Sequence, residues 1–417
     1  MDWIPDEIWT EIILYLPVND LLNFNITCSY FHKIVREYKI TNDRYAHRIV
    51  LKFPEQLINY NFRSYEMNWL LNVSFIKNMI HHQLCEQIPH VEELTIDRID
   101  QIVASLKNVT QLKLSYGLIY NRLHIESLTN LHSLKIVSTG QNLEMNSIIN
   151  LTSLTTLKIS HCNNITDKEI SYLPNLINLC IDHCKNIENL NYLMKLEKLS
   201  LCYSNQINDI SKLTSLYKLS LEGSDSIIHI SKLSNLKYLK LKHCRNIGSF
   251  NGLNKLIRLS LEYCDDISIR ELTNLTKLII TNNNLGDICP LIKLKKLDIN
   301  NCQNISNINH LTNLIDLSIT DCHQINDISN LLNLRKLLIY YATGINDNSI
   351  KHLINLERLQ IALTDLITNE SITHLTNLTK LEIENCENIT SEIKLPKLKE
   401  FSYIHDMPEL VEASDNL

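Results

Sequence analysis

The stretch Leu213-Thr214-Ser215-Leu216-Tyr217-Lys218-Leu219-Ser220-Leu221 decides the fold. It reads leucine, two residues, leucine, two residues, leucine, one residue, leucine, and it returns on Leu233, Leu236, Leu239 and Leu241. Working outward, the second apolar residue of the phrase recurs at Val91, Val109, Leu131, Leu154, Leu176, Leu196, Leu216, Leu236, Leu256, Leu275, Leu294, Leu314, Leu334, Leu356, Leu378 and Leu398. These are sixteen copies at spacings of 18 to 23 residues. A fixed period of this length marks a solenoid, in which each copy is one coil that buries its apolar face only against its neighbours.

Inside each copy the alternation of Leu219, Ser220 and Leu221 has period two, so the copy carries a short strand with its leucines turned into the coil. Strands are expected near Leu157, Leu179, Leu199, Leu219, Leu239 and Leu259. Past the strand the chain must turn inward, and it needs a small side chain that serves buried backbone. That slot holds Cys162, Cys184, Cys244, Cys264, Cys302, Cys322 and Cys386, with Ser204, Ser224 and Asn283 in other copies. The phrase and its period resemble the leucine-rich repeat family over about three quarters of the chain. Segments such as Cys162-Asn163-Asn164-Ile165-Thr166-Asp167 look like its cysteine-containing subtype, although most copies here have 20 residues and are shorter than that unit. The convex side is therefore expected to hold 3₁₀ turns or extended chain. Copies of 22 or 23 residues, such as the one through Ile165 to Leu173, have room for a helical turn.

The first 40 residues have another character. Ile4-Pro5-Asp6-Glu7-Ile8 opens a helix, with proline in the first turn and acids where the helix dipole favours them. Ile8, Ile12 and Tyr15 or Leu16 give one apolar stripe, Pro17 stops the helix, and Asp20 is placed to cap a second helix through Leu21, Leu22, Phe24 and Ile26. Tyr30, Phe31, Ile34 and Val35 form a third apolar set. Three short helices cannot bury this surface among themselves, so a partner or the first coil must cover it.

These residues resemble the F-box family through Ile4-Pro5-x-Glu7-Ile8, Ile12, Tyr15-Leu16-Pro17, Asp20-Leu21-Leu22 and Thr27-Cys28-x-x-Phe31, with Ile4 where leucine is usual. The resemblance implies docking onto a Skp1-like adaptor, and through it a cullin, by Ile4, Pro5, Ile8, Ile12, Leu16, Pro17 and Leu21. The plainer alternative is an N-terminal helical cap for the solenoid. The fold class expected is an α/β solenoid: a leucine-rich repeat array of about sixteen copies behind an N-terminal three-helix F-box. The domains read as F-box over 1–43, helical junction and N-terminal cap over 44–87, repeats over 88–405, and C-terminal cap and tail over 406–417. The cap reading rests on Phe401 and Tyr403 standing where leucines belong.

Composition bounds the function. A formal net charge of −6 argues against general nucleic-acid binding, which needs a basic surface. No apolar run approaches the ~18 residues of a membrane span, and Asp2, Asp6 and Glu7 stand where a signal peptide is basic, so an intracellular protein is expected. Seven of the twelve cysteines sit at the inward slot and read as reduced packing thiols. The triplets Asn164-Ile165-Thr166 and Asn274-Leu275-Thr276 match a glycosylation acceptor, but they follow from an Asn-rich composition. His81, His82 and Cys85 lack a fourth zinc ligand at short spacing.

There is no Walker loop, no Gly-rich dinucleotide turn, no HExxH and no paired CxxC. The chain is therefore expected not to be an enzyme, and no cofactor or metal is assigned. Two functions are carried forward. One is the substrate-recognition subunit of an SCF-type (Skp1-cullin-F-box) ubiquitin ligase, with the repeat surface binding the target. The other is a repeat scaffold or Skp1-sequestering decoy without target ubiquitination. On the expected concave face, Lys198, Lys218, Tyr238, Arg258, Lys277, Lys296, Lys336, Arg358 and Lys380 form a ladder broken by Asp316, joined by Lys240 and Lys242. A neighbouring row holds His161, His183, Tyr203, His243 and Tyr263. Lys218, Tyr238, Lys240, Arg258 and Tyr263 are the expected target-binding residues, for an acidic or phosphorylated segment.

Overall fold

The computed structural model describes residues 64–67, 93–96, 110–115, 125–137, 148–264, 267–286 and 288–404. The helices expected over 1–43 and the cap and tail expected over 406–417 lie outside these residues. The chain divides into two compact units, Met1–Ile207 and Asn208–Leu417. The described residues of each unit form a parallel β-solenoid.

In the first unit the strands are β1 (Ser64–Met67), β2 (Glu93–Ile96), β3 (Gln111–Ser115), β4 (Ser133–Val137), β5 (Thr156–Ser160), β6 (Asn178–Asp182) and β7 (Lys198–Cys202). The second unit holds β8 (Lys218–Glu222), β9 (Tyr238–Lys242), β10 (Arg258–Glu262), β11 (Lys277–Thr281), β12 (Lys296–Asn300), β13 (Asp316–Thr320), β14 (Lys336–Tyr340), β15 (Arg358–Ala362), β16 (Lys380–Glu384) and β17 (Glu400–Ile404). Each repeat phrase leads into one strand, β2 to β17. Within a unit, strands pair in parallel and in matched register, so that Leu219 stands beside Leu239, Leu239 beside Leu259 and Leu259 beside Leu278.

Of the segment 44–87, expected to be a helical junction and cap, only Ser64–Met67 are described, and they form a strand parallel to β2, with Ser64 beside Glu93. The reason is the edge of β2, whose unpaired N–H and C=O groups are a template for one more strand.

The coil is built on a step of three. After Leu219 and Leu221, the buried residues are Ser224, Ile227, Ile230, Leu233 and Leu236, each at most 1% exposed. Backbone bonds spanning three residues, Leu233 N to Ile230 O and Leu236 N to Leu233 O, both 3.0 Å, fold the return path into single 3₁₀-type turns. Among the described residues, full helices appear only where the copy is longer. The described helices are α1 (Asp167–Ser171), α2 (Asp347–Ile350) and α3 (Asn369–Thr373). Each lies in a 22-residue copy, between Leu154 and Leu176, Leu334 and Leu356, and Leu356 and Leu378. Thr166 and Glu169 start α1 with a reciprocal capping box, Thr166 N donating to Glu169 Oε2 at 2.9 Å.

The cysteine slot does what the sequence reading asks of it. The thiols of Cys162, Cys244, Cys264 and Cys302 donate to the carbonyl two residues back at 3.3 Å. Ser204 and Ser224 make the same bond with hydroxyls at 3.0 and 3.2 Å. Burial pushes the Cys244 thiol up to about 11, which keeps it protonated and inert.

A second polar ladder ties successive coils before each strand. The Asn235, Asn274, Asn333 and Asn355 side chains each donate at 2.9 Å to a backbone carbonyl of the preceding coil. Asn274 also accepts from Lys293 Nζ at 2.7 Å. The amide of this glycosylation-like triplet is thus engaged in joining coils. At the C-terminal end, Tyr403 pairs beside Ile383, and its hydroxyl donates to Ile389 O at 3.1 Å.

Candidate partner-binding surface

Strand residues one, three and five face outward, while two and four enter the core, as the exposed-buried alternation of Lys218–Glu222 shows. The outward positions therefore form rows across neighbouring strands. In the second unit one row runs Lys218, Tyr238, Arg258, Lys277, Lys296, Asp316, Lys336, Arg358, Lys380. Lys240 stands in the next row between Ser220 and Ser260.

Charge pairing sorts the cations in this ladder. Lys242 is held between Glu222 at 3.2 Å and Glu262 at 3.5 Å. The hydrogen bond to Glu222, then the charges of Glu222 and Glu262, raise its pKa. Lys296 binds Asp316 at 2.6 Å, and Lys380 binds Glu382 at 2.9 Å and Glu400 at 3.1 Å. These three cations are already neutralised. Lys218 and Lys240 make no ion pair with a described residue, and both are exposed. Arg258 lies over the Tyr238 ring, 5.2 Å from its centroid, and Tyr217 meets the same ring edge-on at 6.2 Å. Lys218, Tyr238, Lys240 and Arg258 thus stand on three consecutive strands. Tyr263 lies at the far end of β10, stacked on His243 at 4.7 Å.

The residue after each of β5 to β16 carries a feature that sequence reasoning missed. His161, His183, Tyr203, Gly223, His243, Tyr263, Asn282, Asn301, Asp321, Tyr341, Leu363 and Asn385 all have φ between 47° and 56°. Left-handed backbone costs an L-residue roughly 1–2 kcal/mol. A repeated bond offsets it, since the amide of this residue reaches the last carbonyl of the next strand: His161 N to Asp182 O at 2.8 Å, His243 N to Glu262 O at 2.9 Å. No Val, Ile or Thr occupies the slot among the described residues, as the sterics of branched side chains require.

In the first unit this slot gathers polar rings. His161 and His183 stack at 4.7 Å with an interplanar angle of 22°, and Tyr203 follows His183 at 4.8 Å. His183 Nδ1 is 2.6 Å from Asp182 Oδ1, and Ser160 Oγ donates to Asp182 Oδ2 at 2.7 Å. Burial pushes the Asp182 carboxyl up, but the bonds from Ser160 and His183 outweigh it and hold its pKa below the ordinary value. The signal in the sequence was the return of histidine at one repeat position in consecutive copies.

Ile4, Pro5, Ile8, Ile12, Leu16, Pro17 and Leu21 lie outside the described residues. No described helix is long and apolar enough to cross a membrane.

A family model described as the F-box domain matches residues 1–43. By structure, the chain is similar to a leucine-rich repeat protein of Leptospira interrogans, at 20% identity over 88% of this chain and 95% of that one, with a TM-score of 0.52. It is also similar to an internalin of Listeria monocytogenes, at 24% identity over 72% and 88% of the two chains and a TM-score of 0.48. The functional domain of InlJ from the same bacterium, said to include a cysteine ladder, matches at 17% identity over 69% and 72%, with a TM-score of 0.47. A search among curated proteins gave no match. The Leptospira protein thus shares the repeat fold of this chain, and the F-box domain model matches the segment that precedes the repeats.

Proposed function

We propose that the chain is the substrate-recognition subunit of an SCF-type ubiquitin ligase. Residues 1–43 dock a Skp1-like adaptor, which brings a cullin, and the outward rows of β8 to β10 hold the target. The observation that carries this reading is the F-box match over 1–43 in the same chain as a repeat surface. The rows support a target segment that is acidic or phosphorylated, because Lys218, Lys240 and Arg258 are cations without a carboxylate partner among the described residues. Tyr238 and Tyr263 add flat rings beside them, the residue type that anchors such interfaces. Ubiquitin transfer belongs to other subunits, so the chain contributes geometry and no catalytic group.

Affinity purification of the full chain, and of the chain lacking residues 1–43, tests the reading. Skp1 and a cullin should be recovered with the first and lost with the second, while the target is recovered with both. A target that is captured but never ubiquitinated in the presence of the full ligase would favour the scaffold or decoy.

A further inference from the structure

We propose that His161, Asp182 and His183 form a binding site for a divalent first-row transition metal, with Zn²⁺ the ion that best suits them. This goes beyond the ligase reading and does not depend on it. The site offers one ring nitrogen from each histidine and one carboxylate oxygen, all within 4.8 Å of one another. Two imidazoles and a carboxylate are a donor set used by zinc sites that keep a coordination position open. Imidazole also turns the preference toward zinc, copper and nickel and away from magnesium and calcium, which favour oxygen.

The donors are held by backbone. His161 and His183 occupy the same left-handed slot in consecutive coils, at φ 56° and 51°. Their amides are tied to Asp182 O at 2.8 Å and Cys202 O at 3.0 Å. A tetrahedral ion with bonds of about 2.0–2.1 Å needs donors about 3.3 Å apart, so the ligand atoms, now within 4.8 Å of one another, would have to draw together to receive it. The carboxylate is aimed by Ser160 from its other oxygen at 2.7 Å, the kind of outer partner that orients metal ligands. Three protein donors leave a position facing solvent, where a docked protein would supply a fourth.

The second unit contains a natural control. His243 stacks on Tyr263 at 4.7 Å, with Glu262 where the first unit has Asp182, so one imidazole of the set is missing.

The test is calorimetric titration of the full chain with Zn²⁺. The variants are His161→Asn, His183→Asn and Asp182→Asn, with His243→Asn as control. Asparagine already fills the slot at Asn282, Asn301 and Asn385, so the histidine variants keep the backbone, which matching circular dichroism in EDTA verifies. A saturable site should appear in the wild-type chain. The first three variants should each weaken it by about tenfold or more, and His243→Asn should leave it unchanged. Wild-type affinity and stoichiometry in His161→Asn and His183→Asn would place the ion elsewhere, on thiols for example, and overturn the proposal. So would the absence of saturable binding to the wild-type chain.

Discussion

The Arg258 guanidinium sits 5.2 Å from the centroid of the Tyr238 ring, across the β9–β10 pair. Such an exposed cation–π contact is worth about 0.5–1 kcal/mol, enough to hold the guanidinium in place without neutralising its charge. In this way the register of two neighbouring strands turns a tyrosine and an arginine, distant in sequence, into one charged plate.

Reversing that plate should affect the target and nothing else. Lys218→Glu with Arg258→Glu is expected to reduce target capture by at least about tenfold, as for residues central to an interface, while Skp1 recovery is unchanged. Pull-down of both partners from the same sample measures the two effects together. Undiminished target capture would move the site off β8 to β10.

A complementary outcome is expected at the other end of the chain. Leu16→Ala with Pro17→Ala should abolish adaptor recovery, because these residues close the first apolar stripe of the F-box. Target binding and the circular dichroism of the solenoid should be unaffected. Normal Skp1 recovery would show that docking uses other residues.

Three glycines form a graded stability series. A methyl group at Gly252, where φ is 89°, would lie 2.6 Å from Ser231 O, and at Gly344 it would lie 2.5 Å from Ile325 O. Both obstacles are backbone, so Gly252→Ala and Gly344→Ala should each destabilise the chain by about 1–3 kcal/mol. At Gly286 the nearest atom is Asn304 O at 4.0 Å, and Gly286→Ala should be neutral or slightly stabilising. Urea midpoints of the three variants should fall in that order.

Acid should loosen the coil junction at α2 and α3. Asp347 accepts from Thr368 N at 2.9 Å and Thr368 Oγ1 at 2.7 Å. Burial pushes its carboxyl up, but hydrogen bonds from Ser371 and Thr368 outweigh this and bring its pKa below the ordinary value. A depressed carboxylate contributes stability that is complete above the unfolded value of about 3.9 and is lost as pH falls through the lower folded value. Asp347→Asn should therefore lower stability at neutral pH and flatten its decline in acid. The effect should stay below about 1 kcal/mol, because the group is largely solvated and screened. Melting curves from pH 7 to pH 2 measure it, and parallel pH profiles for variant and wild type would contradict it.

Much of this surface was legible before the structure. The leucine phrase placed sixteen strands, and the inward slot explained Cys162 and its counterparts, because both depend on a local pattern that each coil repeats. The length of the copy through Ile165 to Leu173 gave room for the helical turn that became α1, while its capping box showed only in the structure. What escaped depends on neighbours. Lys242 looked like one more cation until the register set Glu222 and Glu262 on either side. His161 and His183 were read as members of one row, but their stacking at 4.7 Å and the carboxylate of Asp182 beside them came only from the packing of coils. The strand at Ser64–Met67 answers to the edge of β2 and not to a repeat phrase of its own.

The left-handed residue after each of β5 to β16 sets where this chain is free to change. Within one molecule the same backbone geometry is met by histidine, tyrosine, glycine, asparagine, aspartate and leucine. The chain has in effect run its own substitution series and kept every coil intact. A descendant that exchanges those side chains acquires a new row of chemistry along the strand ends while every leucine beneath it stays put. Diversification of ligands is therefore separated from maintenance of the core, by one dihedral angle repeated down the stack.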